Sequence, residues 1–88
     1  MSKHTTHPNI IRRLKMAEGH LRSVVAMLES DKPCLEVAQQ LQAVESAITK
    51  AKKTLIRDHI DHCLEYTIEE GVKGKKAVQE FKEITKYL

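Results

Sequence analysis

Tryptophan is absent from this chain, phenylalanine occurs once (Phe81) and tyrosine twice (Tyr66, Tyr87). Large aromatic anchors are therefore scarce, and a core has to be built from Leu, Ile, Val and Ala, which suits helices. Only two prolines and three glycines interrupt the 88 residues, and two of the glycines, Gly71 and Gly74, fall at one boundary. An all-α protein is expected. No long uncharged apolar run is present, and residues 1–8 are polar, so neither a membrane span nor a signal peptide is expected and a cytoplasmic location is the default. There is no Gly-rich phosphate loop and no recognisable Ser–His–Asp arrangement, so the chain does not read as an enzyme.

What is present is charge, periodicity and a small set of metal-ligating side chains. Net charge is +3, but residues 1–57 carry ten Lys/Arg against five Asp/Glu, and residues 58–88 five against seven. A basic first two-thirds is compatible with an anionic partner such as DNA. Eighty-eight residues make one domain at most, and a domain this short buries little without oligomerisation or staples.

Residues 1–7 read as a flexible arm and residues 8–88 as a single helical domain. Pro8 suits the first turn of a helix. From there Leu14, Ala17, Leu21, Val24 and Leu28 recur at spacings of three and four, a seam of coiled-coil type. Gly19 lies inside this helix at a cost of about 1 kcal/mol against Ala, and close packing against a neighbouring helix is its expected reason. Ser30 to Pro33 break the helix, and Pro33 starts a second. Leu41, Val44, Ile48, Ala51 and Leu55 continue the spacing towards Glu70, which predicts one helix near 55 Å long, at about 1.5 Å per residue. The first helix is too short to cover it, so the apolar stripe predicts a dimer or a dimer of dimers. Gly71 to Gly74 read as a turn, and residues 75–87 as a short amphipathic third helix.

Cys34, His59 and Cys63 stand out against this frame. His59 and Cys63 are four apart, on one face of the long helix. Cys34 comes 25 residues earlier, roughly 37 Å away along a continuous helix. One subunit cannot bring the three together, but two antiparallel copies can, with Cys34 of one chain meeting His59 and Cys63 of the other. Such a thiolate–imidazole–thiolate site suits a soft or borderline transition metal. Taken singly, Cys34 is as readily a small buried hydrophobe near a helix start, and His59 a satisfied core residue. In a reducing compartment the two cysteines are ligands, sensors or core thiols before they are a disulfide. His4 and His7 on the arm are either uninvolved or mobile ligands that complete a larger coordination sphere. His62 reads as a polar surface residue, and His20 has no evident role. Arg12, Arg13, Lys15 and Arg22 on the first helix, and Lys50, Lys52, Lys53 and Arg57 on the second, form two basic stretches suited to phosphates. No helix-turn-helix or zinc-finger spacing accompanies them.

The Cys34–His59–Cys63 spacing, the segment Arg13-Leu14-Lys15-Met16-Ala17-Glu18-Gly19-His20 and the run Gln39-Gln40-Leu41-Gln42-Ala43-Val44 resemble the CsoR/RcnR family of bacterial metal-sensing repressors, over nearly the whole chain. The resemblance implies a three-helix subunit, an antiparallel four-helix-bundle dimer and a tetramer of two such dimers. It also implies that the apoprotein binds operator DNA and releases it on binding a metal, derepressing an efflux gene. Cys34, His59 and Cys63 match the family's core ligand positions, Arg13 and Lys50 its DNA-linked basic positions, and His4 or His7 an arm ligand of nickel- and cobalt-responsive members. Arg12, Lys15, Lys53 and Arg57 extend the expected DNA surface. Cys–His–Cys is the core set of copper(I) members, but Pro33 stands where these often carry Tyr, and the His-bearing arm inclines the reading to Ni(II)/Co(II) with Cu(I) as the alternative. Persulfide sensors of the family lack the His that is present here as His59, and formaldehyde sensors use an N-terminal Pro where this chain has Ser2. A helical-bundle adaptor whose Cys and His residues only pack is the reading from outside the family.

Overall fold

The computed structural model describes the backbone of residues 7–70 and 74–88 and the side chains of residues 7–61 and 78–88. Three α-helices follow one another: α1 (His7–Glu29), α2 (Cys34–Glu70) and α3 (Gly74–Ile84), the last continued by a 3-10 turn over Thr85–Tyr87. The 37-residue α2 is the long central helix. The helix expected from Pro8 begins at His7, the last residue assigned to the arm. Pro33 supplies the carbonyl that accepts the first α2 bond, from the Val37 amide at 3.1 Å, so Cys34 is the first helical residue. Gly74 opens α3 rather than closing a turn, and the third helix tightens to 3-10 geometry at Thr85, where the Thr85 hydroxyl donates to the Lys82 carbonyl at 2.9 Å. The remainder of the expected turn, Gly71 to Lys73, lies outside the described residues.

Two compact units are built on these helices. One spans Pro8–Lys52, a hairpin of α1 and the first half of α2. Val24, Val37 and Val44 form its core, with Met27 packed against them; Ile10, Ala17 and Ala51 are also buried. Ile10, Ala17 and Val24 lie seven apart on α1, as do Val37, Val44 and Ala51 on α2, so each helix buries one heptad row. The other row of each predicted seam stays open. Leu14, Leu21 and Leu28 are exposed on α1; on α2, Leu41, Ile48 and Leu55 retain 43%, 44% and 39% exposure. The other unit takes in Lys53–Leu88 and His7, with Ile56 buried within it.

The turn between α1 and α2 is chemically specified. The Lys32 amide donates to the Met27 carbonyl at 3.0 Å, and the Asp31 amide to the Leu28 carbonyl at 3.2 Å, the paired bonds of a Schellman cap. Asp31 holds the left-handed position with φ 55°, normally given to glycine. A side chain there is strained by about 1–2 kcal/mol, offset in part because Asp tolerates the region better than most. Asp31→Gly is therefore expected to stabilise the fold by about 0.5–1 kcal/mol, after the extra entropy of glycine in the unfolded chain. Thermal unfolding at fixed protein concentration checks this. Gly19 departs from expectation: a Cβ there would meet nothing within 4 Å, so no close helix approach within the subunit explains it.

Candidate metal centre and nucleic-acid interface

Cys34 is a free, exposed thiol at the start of α2. His59 lies on the same unbroken helix, 25 residues later. Among the described residues no three His, Cys, Asp or Glu side chains converge to hold a metal ion. The side chains of Cys63 and His62, and all of His4, lie outside the described residues.

His59 is half-buried and its Nε2 lies 3.5 Å from Oε2 of Glu80 on α3. The Glu80 carboxylate thus lies beside the imidazole, where it can orient the ring. His7 Nε2 lies 3.8 Å from Oδ2 of Asp58, so the first residue of α1 is held beside the immediate neighbour of His59. Neither acidic partner was foreseen. Asp58 is adjacent to His59 in the sequence, which could have suggested it. Glu80 is on another helix, 21 residues away, and no spacing rule reaches it. The donor set of two thiols and imidazoles fits a transition metal rather than a hard cation such as Mg(II) or Ca(II).

The expected DNA-binding side chains, Arg12, Arg13, Lys15, Lys50, Lys53 and Arg57, are all exposed. Arg12 is directed by a 2.8 Å bond to Asn9 Oδ1. Arg13 and Lys50, from different helices, line one groove of about 650 Å³ together with Met16, Ala17, Ala43, Ser46 and Ala47. Among the described residues no acidic side chain lines it. His20 stands in the same groove, its Nε2 bonded to Gln40 Oε1 at 2.6 Å.

An all-helical subunit with one long central helix, dispersed thiol and imidazole ligands and a cationic groove describes a class of small metal-responsive DNA-binding proteins. The chain belongs to the family of metal-sensitive transcriptional repressors, whose model matches residues 6–87; these are regulators, not enzymes. It is 35% identical to the copper-sensing transcriptional repressor CsoR of Mycobacterium ulcerans over 88% of its own length and 65% of that relative's. It thus spans about two-thirds of the length of the mycobacterial CsoR proteins. It is 33% identical to the copper-sensing CsoR of Bacillus subtilis, covering 98% of this chain and 99% of that one. Among solved structures it resembles the nickel-responsive transcriptional regulator InrS, with a TM-score of 0.83 and 28% identity over 99% of this chain and 97% of that one. No helix among the described residues is long and apolar enough to cross a membrane.

Proposed function

We propose that this protein binds operator DNA as apoprotein and leaves it when Cu(I) occupies a site shared between two subunits, derepressing a metal-efflux gene. The observation that carries the ion is the ligand set itself. Cys34, His59 and Cys63 are two thiols and one imidazole, and low-coordinate soft ligation favours Cu(I); the copper-sensing relatives support the same choice. This reverses the preference drawn from the His-bearing arm and Pro33. The unbroken α2 supports a site assembled across antiparallel subunits in a four-helix-bundle dimer, itself paired into a tetramer. The open row Leu41, Ile48 and Leu55 supplies an apolar face for that association. Residues 8–88 act as the helical sensor domain and residues 1–7 as its arm. Arg13 and Lys50, with Arg12, Lys15, Lys53 and Arg57 along the same helices, contact phosphates. By linkage, the ion binds free protein more tightly than the operator complex by the factor with which it weakens DNA binding.

A second reading, Ni(II) or Co(II), is favoured by the likeness to a nickel-responsive regulator and by His7 lying beside Asp58. An arm imidazole, from His7 or His4, would raise the coordination number towards what these ions prefer. Reduced apoprotein titrated anaerobically with Cu(I), Ni(II) and Co(II), while release of its promoter DNA is followed, separates the readings. On the copper reading, Cu(I) releases DNA at the lowest free-ion concentration, and deleting residues 2–7 leaves that concentration within about twofold, because the arm adds no required ligand to a low-coordinate site. If the truncation weakens Ni(II) response strongly and Ni(II) is the more effective ion, the second reading replaces the first.

A further inference from the structure

The groove between α1 and α2 holds one titratable side chain to which the proposed mechanism gives no part. His20 is half-buried, lines the groove with Arg13 and Lys50, and bridges the two helices through Gln40. An amide oxygen only accepts, so the 2.6 Å contact to Gln40 Oε1 places the ring's proton on Nε2. Nδ1 is then the atom that gains or loses a proton. The charged residues lining this groove are Arg13 from α1 and Lys50 from α2, both cationic. Met16, Ala17, Ala43, Ser46 and Ala47 complete the lining, and the Ser46 hydroxyl can donate to an anion seated there.

We infer that the groove seats a backbone phosphate of the operator and that His20, protonated in the complex, is a third cationic contact to it. This rests on the repressor reading above and adds a residue and a proton to it. A phosphate held by Arg13 and Lys50 brings negative charge into the groove and favours the proton on Nδ1. The Gln40 bond keeps the ring in place in both protonation states, because Nε2 donates in each. Operator binding therefore takes up a proton, and affinity falls as pH rises through the range in which imidazole titrates. The added contact is a charge-assisted hydrogen bond, roughly twice as strong as a neutral one.

The test is operator binding by the metal-free full chain, measured by fluorescence anisotropy at constant ionic strength between about pH 6 and pH 8, the window of imidazole titration. Parent protein should bind about tenfold more weakly at the upper end, the loss of one charge-assisted hydrogen bond. His20→Gln should cut that pH dependence to less than about twofold and weaken binding mainly at the acidic end. The salt slope of the parent should steepen at low pH, by about 0.9 per added phosphate contact. NMR of the His20 ring gives a readout independent of any variant's folding: its titration should move to higher pH in the operator complex. A pH dependence unchanged in His20→Gln, or a ring that titrates alike in free and bound protein, would overturn the contact while leaving the repressor reading intact. Inorganic phosphate alone shifting the ring as far as the operator does would overturn the backbone-phosphate assignment in favour of a free-anion site. Absence of operator binding at every pH would remove the repressor reading itself, and this contact with it.

Discussion

A Cys34→Ala protein is expected to remain on its operator at metal concentrations that release the parent. Cys34 is exposed at the start of α2 and is not among the buried Val24, Val37 and Val44 of the core, so its loss should leave the hairpin and the Arg13–Lys50 groove in place. What it removes is one thiolate of the proposed shared site. Allosteric coupling of this kind is typically worth about 1–3 kcal/mol, or 5- to 150-fold in affinity; in the variant the factor should approach one while metal-free operator binding stays within about twofold of the parent. The cross-subunit arrangement has its own signature. Mixing Cys34→Ala with Cys63→Ala subunits should restore a fraction of the sites, since a heterodimer retains one complete set. Heterodimers that form and bind no metal would show that the ligands are not shared. A Cys34→Ala protein released by metal as readily as the parent would place the switch elsewhere.

Ile48→Glu should dismantle the assembly. Leu41, Ile48 and Leu55 are seven apart on α2, on the row that the subunit's own packing leaves open. Burying such a side chain between subunits contributes about 1.5–3 kcal/mol. A carboxylate in its place, unpaired in an apolar interface, costs several kcal/mol more, and symmetry places the change on both sides of the contact. Sedimentation should show the parent as a dimer or tetramer and Ile48→Glu as a species near the 10.1 kDa of one chain, with reduced helicity, because a lone hairpin of this size is marginal. Ile48→Leu, which preserves volume and polarity, should keep the parent's assembly. A parent that sediments as a stable folded monomer would end both the packing argument and the shared metal site.

Much of the architecture was legible because it is written in local periods. The seams on α1 and α2, the break at Ser30–Pro33 and the continuity of α2 to Glu70 each follow from residues within a few turns of one another. The pairing of His59 with Cys63 is an expectation of the same local kind, since a four-residue spacing is a statement about one helix face; the side chain of Cys63 lies outside the described residues. The contacts of the site were less legible. His59 with Glu80, His7 with Asp58 and His20 with Gln40 join residues 20 or more positions apart. No repeat in the sequence marks such pairs.

The sequence by itself determined the helical class, most helix boundaries to within a residue or two, and the reach of α2. Each is a property of a single helix, governed by its 3.6-residue period, its breakers and its side-chain types. Only the tertiary structure decided which half of each apolar seam is buried. Both rows of α1 and α2 are apolar, and sequence cannot rank them. Packing of the hairpin does so by covering Val24, Val37 and Val44. Leu41, Ile48 and Leu55 then remain on the open row, because a helix that rests one face on its neighbour must turn another face away from it.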